Sequence, residues 1–135
     1  MKKWAGALLI TTSGEVILQK RDVRPNITNS GKTSLFGGTV EESESIEDCL
    51  KREIEEEVGI NVDNFSFFGL YKKRQATHGE DYDCYVYLVN DIDVGKINVR
   101  EGLGYKLVSA DDNYLTAEYT LITQAILGDY FKKIN

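Results

Sequence analysis

The 135-residue sequence has one proline, one histidine, one tryptophan and two cysteines, and it has no excess of basic residues. Lysine and arginine together number 16 against 22 acidic residues, which gives a formal net charge of −6. Binding to nucleic acid or to an acidic membrane surface usually needs a basic face, so neither partner is expected. No apolar run approaches the roughly 20 residues that a membrane-spanning helix requires.

The scarcity of cysteine also limits the kinds of site that the chain can build. Cys49 and Cys84 both lie among apolar neighbours, and their spacing fits no zinc-binding pattern. Two thiols make a poor disulfide framework, so buried free thiols in a reducing compartment are predicted. Residues 1–10 have too short an apolar core for a signal peptide and no small-residue cleavage site before Glu15, so we expect a strand there. A cytoplasmic location follows as an expectation.

The length fits one domain, residues 1–135, which is long enough for a real hydrophobic core. Apolar patterning and turn residues predict strands at residues 5–10, 16–21, 34–36, 65–73, 82–89 and 104–109, and helices at Ile46–Val58 and about 116–132. The strand at 34–36 is expected to break at the Gly37–Gly38 pair. Strands combined with one central and one terminal helix predict a mixed α/β layered domain.

The central helix has clear signals at both ends. Ser45 is suited to cap its N-terminus, with Asp48 three residues further on, and Gly59 supplies the C-terminal stop. At roughly 100° per residue, its apolar side chains form a stripe of about 140°. That stripe consists of Ile46, Cys49, Leu50 and Ile54.

Glutamates interrupt this apolar stripe. Glu53 and Glu57 fall inside it, Glu56 lies about 20° beyond its edge, and Glu55 lies on the opposite, solvated side. Glu53, Glu56 and Glu57 are therefore expected to converge near the core. Carboxylates facing a core lose hydration, and they also lie towards the C-terminal end of the helix, where its dipole disfavours negative charge. A fold shaped by stability alone would avoid both penalties.

Two interpretations of these glutamates are open. A solvated run of charge, with ion pairs such as Arg52 with Glu56, explains the outer residues. It does not explain Glu53 and Glu57, which one or two Mg²⁺ ions would neutralise, since Mg²⁺ prefers oxygen ligands. Geometry favours the metal site.

Residues 38–60, GTVEESESIEDCLKREIEEEVGI, resemble the Nudix box. The family pattern is a glycine, five residues, a glutamate, seven residues, Arg-Glu, an aliphatic residue, any residue, Glu-Glu, any residue, a glycine and an aliphatic residue, and the segment meets every fixed position. The resemblance implies an α/β fold, an α/β/α sandwich with a mixed β-sheet. The chain departs from the family where Phe36 replaces a frequent proline and Thr33 a frequent aromatic residue.

The resemblance also implies a chemistry. It is metal-assisted attack of water on a diphosphate linkage in a nucleoside diphosphate joined to another moiety, with Mg²⁺ or Mn²⁺ as the cofactor. The implied metal ligands are the Gly38 carbonyl, Glu53, Glu56 and Glu57. Within the box, Glu53 is the best candidate to activate water, Arg52 to position a carboxylate, and Glu44 to serve as an accessory metal ligand.

Beyond the box, Glu101 resembles a late glutamate that supplies a ligand or base in some family members, with Glu80 and Asp81 as rivals. Arg21 ends the second predicted strand, where the family often contacts phosphate. Substrate contacts are also implied for Phe36, Gly37 and Gly38, although Phe36, Trp4 and Tyr71 are expected mainly in the core.

The identity of the substrate stays open at this stage. Nucleoside triphosphates, nucleotide sugars, dinucleoside polyphosphates and ADP-ribose all fit, because the loops that would choose among them, residues 22–32, 74–81 and 91–100, show no readable pattern. The expected partner is a small nucleotide-like molecule, with a homodimer left open. The main alternative is a sensor of the same fold that binds a nucleotide derivative without hydrolysing it. The acidic balance disfavours RNA decapping.

Overall fold

The computed structural model describes residues 2–21, 31–73, 81–100 and 104–134. The strands in this part of the chain are β1 (Lys2–Thr11), β2 (Val16–Lys20), β3 (Thr33–Ser34), β4 (Phe36–Thr39), β5 (Ser66–Lys73), β6 (Tyr82–Ile92) and β7 (Tyr105–Val108). The helices are α1 (Ile46–Val58) and α2 (Leu121–Ile134), and a short 3₁₀ turn covers Val94–Lys96. Apart from the segment around β4 and the start of α2, the predicted elements agree with these to within a few residues.

The described strands form one sheet in the order β3-β2-β1-β6-β5, with β4 also pairing with β1 and β7 with β2. β1 runs parallel to β6, whereas its pairings with β2 and β4 are antiparallel, so the sheet is mixed as predicted. The long central strand β1 therefore joins β2, β4 and β6 in one sheet.

Each face of the sheet is covered by one helix. Side chains of α1 pack with Ala5, Ala7 and Leu9 of β1 in one core, while α2 packs with Leu8 and Ile10 in the other. This alternation follows from the period of two along a strand, because successive side chains point to opposite faces. The arrangement is the α/β/α sandwich that the resemblance to the Nudix family implies.

The predicted strand break at the Gly37–Gly38 pair is wrong. β4 runs through both glycines as far as Thr39 and lies against β1, where Gly37 pairs with Gly6 and Gly38 with Ala5. A Cβ at Gly37 would overlap the backbone of Ala5 and Gly6. The two glycines thus allow a close approach of two strands, a use of glycine that local turn propensity does not reveal.

The prediction for α1 is confirmed at both ends. The Ser45 hydroxyl accepts a hydrogen bond from the Asp48 backbone N–H at 3.1 Å. At the other end Gly59 adopts a left-handed conformation with φ of 76°, and its N–H donates to the Glu55 carbonyl. These caps fix where α1 begins and ends, and so they fix the position of each glutamate along the helix.

The predicted start of α2 is five residues too early, since the helix begins at Leu121 rather than near residue 116. The preceding residues pair with β3 instead: the N–H of Thr33 donates to the Glu118 carbonyl at 2.7 Å, and the N–H of Thr120 donates back to Thr33. Tertiary hydrogen bonds here override the helical pattern of the sequence.

Cys49 and Cys84 are both buried and free, as predicted. None of the described helices is long and apolar enough to cross a membrane.

The Ser45 cap gives a test of how α1 is positioned. We expect Ser45→Ala to lower the free energy of unfolding by about 1 kcal/mol, because the Asp48 N–H loses its acceptor. Urea denaturation measures this, with Ser43→Ala, an exposed serine two residues earlier, as the matched control. Equal stability of the two variants would show that the cap contributes nothing.

Candidate active site at the α1 glutamates

The glutamates of α1 differ sharply in exposure. Glu57 is buried, with 6% of its surface exposed. The Glu53 side chain is 16% exposed, whereas those of Glu56 and Glu55 are 53% and 52% exposed. The expected inward placement is therefore met by Glu57 and largely by Glu53. It is wrong for Glu56, which lies at the edge of the apolar stripe and extends towards solvent.

Glu57 is held by the glycine strand. Its Oε1 accepts a hydrogen bond of 2.9 Å from the backbone N–H of Gly37 in β4. This N–H compensates part of the cost of burying a carboxylate and directs the side chain at the strand rather than at solvent. A buried acid with a backbone donor is positioned more tightly than a surface acid.

Glu53 lies against the neighbouring glycine. A Cβ at Gly38 would overlap the carboxyl group of Glu53, so only glycine leaves room for this side chain. The carbonyl oxygen of Gly38 is accessible to the Cys49 thiol, which donates to it at 3.6 Å. Two adjacent glycines of β4 thus face the two inward glutamates of α1.

Arg52 donates hydrogen bonds to several of the neighbouring carboxylates. Its Nε and Nη2 donate to both oxygens of Glu44 at 2.6 and 2.9 Å. Its Nη1 donates to Glu53 at 2.9 Å and to Glu56 at 3.4 Å. The hydrogen bonds from Arg52 are the largest cause that lowers the pKa of Glu44 from 4.5 to about 2. Arg52 is thus hydrogen-bonded to three carboxylates, and its positioning role stays a prediction.

The C-terminal end of α1 is fastened by residues 98–100. The backbone N–H of Arg100 donates to the Glu57 carbonyl at 3.0 Å, and that of Asn98 donates to Val58 at 2.8 Å. These bonds satisfy helix carbonyls that would otherwise lack donors. Glu101, predicted as a ligand or base, lies outside the described residues, as does its rival Glu80.

The donor set fits a divalent cation of the magnesium type, although it does not form a closed cage. In the described ranges, no group of three or more acidic, cysteine or histidine side chains is close enough to hold one ion. Mg²⁺ typically keeps several waters and takes one or two protein carboxylates together with substrate phosphates. The carboxylates of Glu53 and Glu57, beside the Gly38 carbonyl, suit that open coordination, with Glu56 and Glu44 at its edge.

A cavity of about 270 Å³ lies on the other face of the sheet, between the strands and the start of α2. It is lined by Trp4, Arg21, Ser34, Leu35, Gly37, Thr39, Lys73, Tyr82, Cys84, Thr120, Ile122, Thr123 and Ile126. Gly37 contributes to both the carboxylate cluster and the cavity. Its N–H contacts Glu57 on the α1 side, and the residue also lines the cavity. The carboxylates and the cavity are therefore neighbours across one strand.

The cavity changes the assignment of several residues. Arg21 lines it as a candidate binding residue, and so does Trp4, which also packs against the α2-side core as expected. Phe36 is fully buried in the α1-side core and does not line the cavity. Tyr71 packs at the other core and donates to Asp129 at 2.6 Å. The sequence does contain a signal for Trp4. Side chains two positions apart on a strand point to the same face, so Trp4 shares a face of β1 with Gly6, which has no side chain to fill the neighbouring space.

A family model and several solved structures match most of the chain. The NUDIX domain model matches residues 2–124. A MutT protein from Methanosarcina mazei Go1 superposes with a TM-score of 0.85 at 20% identity, over 99% of this chain and 95% of that one. A MutT NUDIX hydrolase from Burkholderia pseudomallei superposes with a TM-score of 0.79 at 28% identity, over 94% and 95% of the two chains.

Curated relatives match over shorter stretches. An NAD-capped RNA hydrolase NudC from Pseudomonas aeruginosa is 37% identical over 62 residues, which is 46% of this chain and 21% of that protein. An 8-oxo-dGTP diphosphatase from Buchnera aphidicola is 36% identical over 80 residues, which is 56% of this chain and 55% of that protein. The chain thus covers about a fifth of the first relative and about half of the second.

The Arg52–Glu44 contact predicts a pH dependence of stability. The folded-state pKa of Glu44, about 2, lies below its ordinary value of 4.5, so the contact stabilises the fold above pH 4.5 and is lost as the pH falls towards 2. We therefore expect Glu44→Gln to destabilise the protein at neutral pH and the difference from wild type to shrink in that window. Denaturation at a series of pH values measures it, with the exposed Glu42→Gln as control. A difference that stays constant down to pH 2 would contradict the assignment.

Proposed function

Because the chain belongs to the Nudix family, we propose that it hydrolyses a diphosphate linkage in a nucleoside diphosphate joined to another moiety. The observation that carries the proposal is the buried carboxylate of Glu57, held 2.9 Å from the Gly37 N–H, with Glu53 beside it against Gly38. Two carboxylates beside a backbone carbonyl offer the oxygen ligands that Mg²⁺ prefers, which supports a cation between helix and strand.

Glu53, Glu57 and the carbonyl of Gly38 would hold Mg²⁺ or Mn²⁺, and Glu56 would swing in from solvent to complete the site. When bound, such an ion draws charge from phosphoryl oxygens and lowers the pKa of a nearby water. The Arg52 guanidinium keeps Glu44 and Glu53 oriented and limits the repulsion among the acids. Glu44 is an accessory ligand in this proposal.

A base must take the proton of the attacking water. Glu53 is the candidate within α1, because its carboxylate faces the space beside Gly38. Glu101 is the second candidate, since the residue before it is hydrogen-bonded through its N–H to the Glu57 carbonyl. That bond holds Arg100, the last described residue before Glu101, at the C-terminal end of α1.

The cavity is proposed to receive the nucleoside part of the substrate. It adjoins the carboxylates at Gly37, so a nucleotide bound there would extend its phosphates along β4 towards Glu53 and Glu57. The named activities of the relatives, on NAD-capped RNA and on 8-oxo-dGTP, both involve phosphoanhydrides of nucleotides. This shared chemistry supports the substrate class without choosing a member of it.

The alternative function is binding without hydrolysis. It is favoured by one structural neighbour, the NUDIX domain of Shewanella oneidensis NrtR in complex with ADP ribose, with a TM-score of 0.78 and 14% identity. That likeness concerns the fold, whereas the complete set of box glutamates favours catalysis. A Mg²⁺-dependent screen of nucleoside triphosphates, nucleotide sugars, dinucleoside polyphosphates and ADP-ribose, with products identified by mass, separates the two.

The proposed location is the cytoplasm, because buried free thiols such as Cys49 and Cys84 are typical of a reducing compartment.

The role of Glu57 is tested by Glu57→Gln. Glutamine keeps an oxygen that accepts from the Gly37 N–H but removes the charge, so we expect the fold to persist while kcat/KM falls on the order of a hundredfold or more. Glu55→Gln, on the exposed side of the same helix, is the matched control and should retain activity. A Glu57→Gln enzyme as active as the control would remove Glu57 from the mechanism.

Metal binding itself has a thermal signature. At ten times its dissociation constant, Mg²⁺ should stabilise the folded protein by about 1.4 kcal/mol. This corresponds to a rise in Tm of roughly 4 °C for a domain of this size. NaCl at the same ionic strength controls for screening of the acids. A Tm that responds equally to both salts would argue for screening alone, without a specific site.

A further inference from the structure

The floor of the cavity is an aromatic surface. A Cβ at either Gly6 or Gly37 would overlap atoms of the six-membered ring of Trp4, so the indole lies directly on the backbone of these two glycines. Trp4 is only partly buried, and it lines the cavity. A planar base stacks well on such a ring, but every nucleobase has an aromatic face, so stacking alone does not select among bases.

Selection has to come from the polar groups around that floor, and these are dominated by donors. Among the described side chains that line the cavity, Arg21 and Lys73 are cationic, and none is a carboxylate or a carboxamide. Hydroxyl groups are present, but two of them, Thr120 and Thr123, are hydrogen-bonded to each other at 2.7 Å. The described side chains that line the cavity therefore include two cationic donors, and their acceptors are hydroxyl groups, which also donate.

Arg21 is the donor that most needs a partner. Its Nε is buried and has no hydrogen-bond acceptor in the described part of the chain. A guanidinium donates hydrogen bonds and cannot accept them. Arg21 as a whole is only partly buried and lines the cavity, so a ligand that brings an acceptor to it is favoured over one that brings a second donor.

We propose that this cavity selects nucleobases with a carbonyl edge, such as hypoxanthine, guanine or uracil, over adenine, and that Arg21 is the specificity-determining residue. The proposal rests on the proposed function in that it takes the cavity as the nucleoside site. The exocyclic amino group of adenine presents N–H donors to a cation, whereas a carbonyl at the same ring position accepts from it.

A phosphate contact is the competing role for Arg21. Its position favours the base: Arg21 lines the cavity with Trp4, on the sheet face opposite α1, whereas the carboxylates proposed to act on the diphosphate belong to α1. A phosphate contact would also be common to all nucleotides and would not discriminate among bases. The two roles therefore give different results in one experiment.

Hypoxanthine and adenine nucleotides differ mainly at the six-position of the ring, which makes IMP and AMP the matched probes. Trp4 is the only tryptophan of the sequence, so its fluorescence reports on ligands stacked in the cavity. We expect IMP to bind the full-length protein about tenfold more tightly than AMP, the effect of one hydrogen bond to a charged group. Arg21→Met should remove most of this preference. Lys20→Met, a neighbouring cation that does not line the cavity, should keep it.

The ratio of kcat/KM for ITP over ATP is the second readout, and it should follow the same pattern. Equal or tighter binding of AMP, or no binding of either monophosphate, would overturn the proposal. So would an Arg21→Met variant, with unchanged Tm, that weakens IMP and AMP by the same factor, because that result identifies a phosphate contact. The binding titration needs no turnover, so a preference for IMP in a protein that hydrolyses nothing would refute the proposed hydrolysis and leave the base selection standing.

Discussion

The structure depends on the contact between the glutamates of α1 and the glycines of β4. Glu57 accepts from the Gly37 N–H, and Glu53 occupies the space that a side chain at position 38 would fill. The Glu53 contact requires the absence of a side chain at position 38, whereas the Glu57 contact uses the backbone N–H of position 37. A buried acid is costly in any fold, and here its cost is offset in part by a backbone donor and in part by the charge of Arg52 on its neighbours. The remaining negative charge is what the proposed cation would neutralise.

The same strand links the two halves of the site. Gly37 presents its N–H to Glu57 on the α1 side, while its backbone supports the indole of Trp4 in the cavity on the α2 side. A nucleotide that stacks in the cavity would be placed relative to the carboxylates by one rigid element of the sheet. Placement of this kind favours catalysis because the reacting groups are held in position before the substrate arrives.

Local features of the sequence predicted α1 and its inward glutamates. The period of 3.6 residues places Glu53 and Glu57 among apolar side chains, and Ser45 and Gly59 mark the ends that set this phase. The same reasoning failed for Glu56. A carboxylate at the edge of the apolar stripe is better hydrated when it extends towards solvent, and the ion pair of Glu56 with Arg52 stabilises that position. The box pattern, with its fixed spacing, identified the family that the domain match then confirmed.

What the sequence did not reveal depends on contacts between distant segments. The continuation of β4 through two glycines reflects its pairing with β1, about 30 residues earlier in the chain. The late start of α2 reflects the hydrogen bonds between Thr33 and the residues before the helix, which are more than 80 positions apart. The cavity draws its lining from both ends of the chain, so Lys73, Cys84 and Thr120 could not be grouped from local pattern alone.

The most direct test of the central claim is anomalous diffraction from crystals grown with Mn²⁺ and a non-hydrolysable nucleotide. The account predicts a manganese peak between α1 and β4, coordinated by carboxylate oxygens of Glu53 and Glu57, close to the carbonyl of Gly38. A crystal in which the nucleotide is bound but manganese is found elsewhere, with Glu57 still bonded only to protein, would show that the buried acid is structural and that the proposed chemistry is wrong.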